Sequence, residues 1–194
     1  MRKGQVARKT RETAITVELR LDNRGAAKAR TGVGFLDHML DLLARHAGVV
    51  LSVEAKGDVH VDDHHVVEDV GIVLGQALKK ALGKKEGIAR YGWAVVPMDE
   101  ALVMCAVDLG GRPYLSYELS LPARRVKQFD TELVEEFFRA LVNAAGMNVH
   151  LRQLAGRNTH HVIEAAFKAF ARALGQAVEV SGRVKGVPST KGVL

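Results

Sequence analysis

His64-His65-Val66-Val67-Glu68 and His160-His161-Val162-Ile163-Glu164 are one pattern written twice, 96 residues apart in a chain of 194. Behind the first copy the apolar positions are Val67, Val70, Leu74, Leu78 and Ala81; behind the second they are Ile163, Ala166, Phe170, Leu174 and Ala177. Steps of three and four predict an amphipathic helix after each copy, with the two stripes in the same register. The chain therefore reads as two similar halves, each carrying a helix that opens on a metal-ligand cassette.

In such a helix the first His and the Glu four residues on lie one above the other, while adjacent histidines point about 100° apart. Two neighbouring histidines serve different ions more easily than one. If the halves pack about a pseudo-two-fold, His64, His65, Glu68, His160, His161 and Glu164 supply two sites with ligands from both halves. Two further histidines stand where the set needs them: His38 in the amphipathic run Phe35 to Ala44, and His150 in the apolar stretch Met147 to Leu151. Six imidazoles and two carboxylates give three His and one Glu per ion. That set suits Mn, Fe or Zn rather than Ca or Mg, and a six-coordinate ion keeps positions open for chemistry. His46 and His60 are left over, His60 reading as an exposed strand or loop residue.

Composition bounds the rest. With 47% hydrophobic and 26% charged residues, the chain suits one globular unit or two intimately packed halves. No apolar run approaches the roughly 20 residues that span a bilayer, and the basic stretch Met1 to Thr10 has no apolar core for a signal peptide; the expected location is the cytoplasm, with no membrane partner. The single cysteine, Cys105, lies in an apolar run and reads as a small core residue. A net charge of +6 invites a nucleic-acid reading, but aromatics are only 5% and no nucleic-acid motif is present. The basic residues gather at the ends, in Arg2, Lys3, Arg8, Lys9 and Arg11 and in Arg183, Lys185 and Lys191. They read as solvated tails or as arms for an anionic small molecule.

Along the chain, Thr13 to Leu21 alternates as a half-buried strand, and Asp22-Asn23-Arg24-Gly25 signals a turn. A helix from Phe35 closes at Gly48, a strand follows from Val49 to Ala55, and the first cassette helix ends at Gly83 or Gly87. The second half starts at about Arg90. A hairpin turns around Pro97-Met98-Asp99-Glu100, Leu115 to Leu121 alternates, a helix runs from Thr131 to Ala145, and a strand at Met147 to Leu151 leads through Gly156-Arg157-Asn158-Thr159 to the second cassette. The order helix, strand, loop, cassette helix thus occurs twice. The expected fold is an α/β (α+β) sandwich of two duplicated halves, about 10–88 and 90–182, with a basic tail 183–194. Each half has a mixed or antiparallel sheet packed on helices, and the helices lie together in the middle.

Phe35-Leu36-Asp37-His38-Met39-Leu40, Asp62-Asp63-His64-His65-Val66-Val67-Glu68-Asp69, Arg90-Tyr91-Gly92, Pro97-Met98-Asp99-Glu100-Ala101, Asp108-Leu109-Gly110-Gly111-Arg112-Pro113 and Asn158-Thr159-His160-His161-Val162-Ile163-Glu164-Ala165 occur in that order. Together they closely resemble the imidazoleglycerol-phosphate dehydratase family of histidine biosynthesis, over essentially the whole chain. The resemblance implies two Mn ions per subunit, with His38, His64, His65, Glu68, His150, His160, His161 and Glu164 at the positions of the metal ligands. It implies substrate contacts at Glu12, His46, Arg90, Arg112, Lys168, Ser189, Thr190 and Lys191, with Arg90, Arg112 and Lys191 as a phosphate clamp. It also implies a homo-oligomer of 24 subunits with metal sites completed by neighbouring chains. Gly34 and Thr190 depart from the family pattern, where proline and a second serine are common; neither departure removes a charge or a ligand.

The reaction implied is loss of water from D-erythro-imidazole glycerol phosphate to give imidazole acetol phosphate. The hydrogen lost from carbon is not acidified by a carbonyl, so another electron sink is required. A metal on a ring nitrogen favours the imidazolate that expels the neighbouring hydroxyl, while a carboxylate moves the protons. Glu12 is the candidate acid/base, with Glu164 or Glu68 as rivals. Two other readings use the same residues: a dinuclear hydrolase of phosphate esters, and a non-catalytic metal-binding assembly protein, against which the arginine motifs count.

Overall fold

Each repeated pattern opens a helix, α2 (His64–Leu82) and α4 (Thr159–Val178). The computed structural model describes the chain except for Arg24, Arg183, Val184, Val193 and Leu194. The turn at Arg24 and the cation Arg183 therefore lie outside the described residues. The first half runs β1 (Lys3–Lys9), β2 (Thr13–Arg20), β3 (Ala26–Arg30), α1 (Gly34–Ala47), β4 (Val50–Gly57) and α2. The second runs β5 (Tyr91–Met98), β6 (Ala101–Asp108), β7 (Tyr114–Glu118), the short pair β8 (Arg125–Val126) and β9 (Phe129–Asp130), α3 (Leu133–Ala145), β10 (Asn148–Ala155) and α4. Apart from the β8–β9 pair the two lists are identical.

The sheets repeat as well. Their orders are β1-β2-β4-β3 and β5-β6-β10-β7, each antiparallel except for the last pair, which is parallel. Gly4 faces Leu19 across the first hairpin and Gly92 faces Val107 across the second, so the hairpins correspond at a spacing of 88 residues. Alternation sends Ile15, Val17 and Leu19 of β2, and Ala101, Val103, Cys105 and Val107 of β6, into the core. There α2 lies on β1 and β2, and α4 on β5 and β6. Gly4 and Gly92 allow this: a Cβ on either would stand 1.9 Å from the carbonyl oxygen of Ala77 or Ala173, so the helix backbone rests directly on the strand.

The halves are joined by exchanged helix contacts, α2 against α3 and α1 against α4, with a sheet on each outer side. Phe137, Phe138, Phe167 and Phe170 interlock between α3 and α4, with Phe138 and Phe167 centroids 4.9 Å apart. His38 lies by His160 and Ala47 by Gly175, so α1 and α4 run side by side in the same direction. Both cassettes consequently sit at one end of the molecule. The far ends of α2 and α4 lie together at the other: Arg2 Nη1 donates to the Val178 carbonyl, Lys85 Nζ to that of Leu109, and the Arg90 amide to that of Ala177.

The expected duplicated sandwich, with helices in the middle and Gly48 as a left-handed C-cap, is what the chain adopts. Several local expectations are corrected. The basic N-terminal stretch is not a solvated tail or arm: it is β1, an edge strand, with Arg2 paired to Asp22, Lys3 to Glu18 and Arg8 to Asp69. It extends the first half back from residue 10 to residue 3. Charges on an edge strand hide its alternation, and also block further pairing. β3, short and Ala-rich, is a strand that sequence patterning does not signal. Pro97 and Met98 belong to β5, so the hairpin turns on Asp99 and Glu100 alone. β7 stops at Glu118, before Leu121, and α3 starts at Leu133. Among the described residues no helix is long and apolar enough to cross a membrane.

Candidate active site

The first turns of α2 and α4 are built alike. Asn158, the N-cap of α4, accepts through Oδ1 from the His160 and His161 amides, whereas before α2 the acceptor is Asp62, one residue ahead of the N-cap Asp63, whose Oδ1 takes the His64 amide. In both, the two imidazoles stand nearly perpendicular, at 85° in the first and 86° in the second. The leading histidine turns Nε2 toward the glutamate one turn on: His160 to Glu164 at 3.2 Å and His64 to Glu68 at 3.8 Å. The second histidine uses Nδ1 on a carboxylate from elsewhere, His65 on Asp58 at 3.1 Å and His161 on Glu100 at 2.7 Å.

His38, from α1, brings Nε2 to 3.6 Å from Glu164 Oε2. His38, His160 and Glu164 thus place two nitrogens and a carboxylate oxygen within 4.8 Å of one another. Lys168, one turn further along α4, holds Glu164 Oε1 at 2.6 Å. Burial works to raise the pKa of Glu164, but Lys168, His160 and His38 outweigh it and hold the carboxyl below its usual range. His46 lies nearby, its pKa lowered by burial and then by the charges of Lys168 and Arg172. A cleft of about 560 Å³, lined by Phe35, His38, Asp63, Phe129 and His160, opens over this group. A larger cleft of about 810 Å³, between β7 and the start of α3, contains no histidine, so the chemistry singles out the smaller one.

Glu12 stands at the tip of the β1–β2 hairpin, exposed, and its carboxylate has no hydrogen bond among the described residues. The hairpin is strapped to α2 by buried Asp69, which accepts from Thr13 Oγ1 and pairs with Arg8. This brings the charge of Glu12 near enough to support protonation of His65, after the larger effect of Asp58.

The remaining candidates sit elsewhere. Arg90 lies at the far end of α4, where its amide meets Ala177, seventeen residues beyond His160, or about 25 Å away. Its guanidinium grips Asp108 with two nitrogens, at 2.7 and 3.2 Å, and donates through Nη1 to the Pro188 carbonyl at 2.9 Å. The same stretch joins the tail through Gly87 and Gly186, so Arg90 helps to hold Ser189, Thr190 and Lys191 in place. Arg112 lies at this end too, its carbonyl accepting from Asn148 Nδ2. His150, on the outer face of β10, is exposed beside the Tyr114 ring. One chain therefore brings His38, His160 and Glu164 together with Lys168 and His46, places the first cassette and Glu12 at the same end, and leaves Arg90, Arg112, His150 and the tail at the other.

Sequence reading missed Asp58, Asp69, Glu100 and Asp108 as parts of this machinery. Only Glu100 carried a signal, standing 88 residues after Glu12 at the same place in the repeated hairpin. Replacing Asp108 with asparagine removes the charge from the Arg90 pair, a contact of about 1.5–3 kcal/mol. The expected result is faster amide hydrogen exchange over residues 86–90 and 186–192 with the cassette end unchanged.

A family model described as imidazoleglycerol-phosphate dehydratase matches residues 31–174. The chain is 60% identical over 193 residues to the imidazoleglycerol-phosphate dehydratase of Desulforamulus reducens, covering all of this chain and 98% of that one. It is 58% identical to that of Geobacter sulfurreducens, covering all of this chain and 99% of that one. Among solved structures, the Staphylococcus aureus imidazoleglycerol-phosphate dehydratase superposes with a TM-score of 0.84 at 47% identity, covering 92% of this chain and 99% of that one. The Pyrococcus furiosus protein, solved in complex with (S)-C348, gives 0.83 at 37% identity, covering 97% and 100%. On these matches, the chain belongs to the imidazoleglycerol-phosphate dehydratase family and is a hydro-lyase.

Proposed function

We propose that the chain converts D-erythro-imidazole glycerol phosphate to imidazole acetol phosphate in histidine biosynthesis, in the cytoplasm, using two Mn ions per subunit. The observation that carries the metal assignment is the convergence of His38, His160 and Glu164, whose donor atoms lie within 4.8 Å. Two imidazoles and a carboxylate fit a borderline transition ion, and three protein donors leave positions for more. His64 and Glu68 pair in the same way on α2, and His65, His161 and His150 complete the eight ligands. When bound, the ions supply a Lewis acid for the substrate's ring nitrogens.

The chain's own residues do the rest. Glu12, whose carboxylate makes no hydrogen bond among the described residues, moves a proton between the carbon chain and the departing hydroxyl; loss of water leaves an enol, which becomes the ketone. Lys168 keeps Glu164 ionised and in place, ready to act as a ligand. Arg90, Arg112 and Lys191, with Ser189 and Thr190, bind the phosphate, and the Asp108 pair orients Arg90. His46, near Lys168 and Glu164 and with its pKa lowered chiefly by burial, is placed to hydrogen-bond the substrate.

The separation of about 25 Å between clamp and cassettes exceeds the reach of a triose phosphate with one ring, which favours sites shared between chains. In that arrangement the far end of one subunit, with His150, Arg90, Arg112 and the tail, meets the cassette end of another. Outer-face residues Tyr91, Trp93 and Val95 of β5, together with Tyr114, are exposed apolar or aromatic groups of the kind such contacts cover. The proposed assembly is a homo-oligomer of 24 chains, with a small phosphate ester as its partner and neither nucleic acid nor membrane.

The test is ketone formation from imidazole glycerol phosphate after chelator treatment, with and without added Mn. Restored product formation, together with reassembly in sizing experiments, is the expected result. Phosphate release without ketone from a protein carrying two ions per chain would favour the hydrolase instead.

A further inference from the structure

The two copies of the cassette differ in one respect that the repeat itself exposes. In the second half the hairpin-tip carboxylate, Glu100, binds His161 Nδ1 and also accepts from the Arg157 and Asn158 amides at 3.2 and 2.8 Å. Asp99 is also near that ring, but its carboxylate is 3.8 Å from Nε2, beyond hydrogen-bond range. The residue at the corresponding tip of the first half is Glu12, yet the Glu12 carboxylate holds no histidine among the described residues. Its place on His65 Nδ1 is taken by Asp58, both of whose oxygens lie at 3.1 Å.

The reason lies in loop length. Gly57 and Gly156 are equivalent, each packed against the first valine of its cassette, Val66 or Val162. Three residues separate Gly156 from His160, whereas six separate Gly57 from His64. The three extra residues let the first loop bring its own carboxylate, Asp58, to the histidine. No acid is available in the second loop, where Arg157 follows the glycine.

Resting on the metal reading above, we propose that Asp58 and Glu100 are the positioning carboxylates of His65 and His161, and that Asp58 has displaced Glu12 from that post and freed it for proton transfer. A carboxylate on Nδ1 holds the proton there, leaves the Nε2 lone pair to the ion, and fixes the plane of the ring. The duplicated fold thus uses one ancestral carboxylate position in two ways. Glu100 is structural to the metal site, and Glu12 is chemical.

The test compares Asp58→Asn, Glu100→Gln and Glu12→Gln chains, stripped of metal and titrated with Mn(II), with free ion followed by its electron paramagnetic resonance. Asparagine and glutamine keep an acceptor for the neighbouring amides, and thermal melting checks each fold. Where the Glu100→Gln chain does not fold, Glu100→Asp, which keeps the charge but withdraws it by one methylene, replaces it. Asp58→Asn and Glu100→Gln are each expected to weaken part of the bound Mn by about 10- to 100-fold, while Glu12→Gln binds as the parent does. Parental affinity in both of the first two, or equal weakening in all three, overturns the proposal. A parent that binds no Mn overturns the metal reading itself, and this inference with it, before any variant is compared.

Discussion

Gly92→Val is expected to destabilise the protein by about 3 kcal/mol or more, the upper range of overpacking in a closed core. The added Cβ would lie 1.9 Å from the Ala173 carbonyl oxygen, 2.9 Å from its carbon and 3.0 Å from the Ala177 amide nitrogen. All three belong to helix backbone, so no rotamer change relieves the contact; β5 and α4 must separate, and α4 carries His160, His161 and Glu164. Gly4→Val should behave likewise through Ala77, because the hairpin and helix correspond in the two halves. Gly34→Ala is the control: its Cβ meets nothing within 4 Å, and the first turn of α1 gains a better helix former. Thermal melting at fixed protein concentration reads all three, and a Gly92→Val chain that melts with the parent would refute the close contact.

Glu12→Gln is expected to lower turnover by about 10²- to 10⁴-fold, the usual range for removing a general acid/base, with little change in KM. The side chain is exposed and makes no hydrogen bond among the described residues, so its loss should leave the fold intact. Single-turnover product formation with metal content measured on the same sample separates the alternatives. Normal turnover in a fully metallated Glu12→Gln chain would pass the role to Glu164 or Glu68. Variants of those residues would lose metal as well as rate, since Glu164 lies among His38, His160 and Lys168.

Much of the fold was legible because the relevant signals are local. The stripe from Val67 to Ala81 and its copy from Ile163 to Ala177 report helices whatever they pack against, and the second carries its own cap in Asn158. Alternation in β2, β4 and β6 is equally local, since one face of each is buried. The signal failed where burial is partial. β1 is a sheet edge written mostly in Lys, Arg and Gln, and β3 is five residues of Ala, Lys and Arg, so neither shows the period that a central strand must. The β8–β9 pair is too short to show any.

The candidate site divides along the same line. His38, Lys168 and Glu164 could be named from motifs and helical spacing, and Lys168 meets Glu164 because they are one turn apart. Asp58, Glu100 and Asp108 could not be named so, because each acts on a partner 7, 61 or 18 residues away that only loop and hairpin placement brings near. Periodicity and repetition in the sequence alone determined that this protein has two equivalent halves, each presenting a His-His-Glu face at a helix start. The tertiary structure decided which carboxylate holds which imidazole, and that Arg90 and the second cassette stand about 25 Å apart along α4. A sequence records which side chains share a helix face, but distances between elements arise only when their apolar faces are buried together.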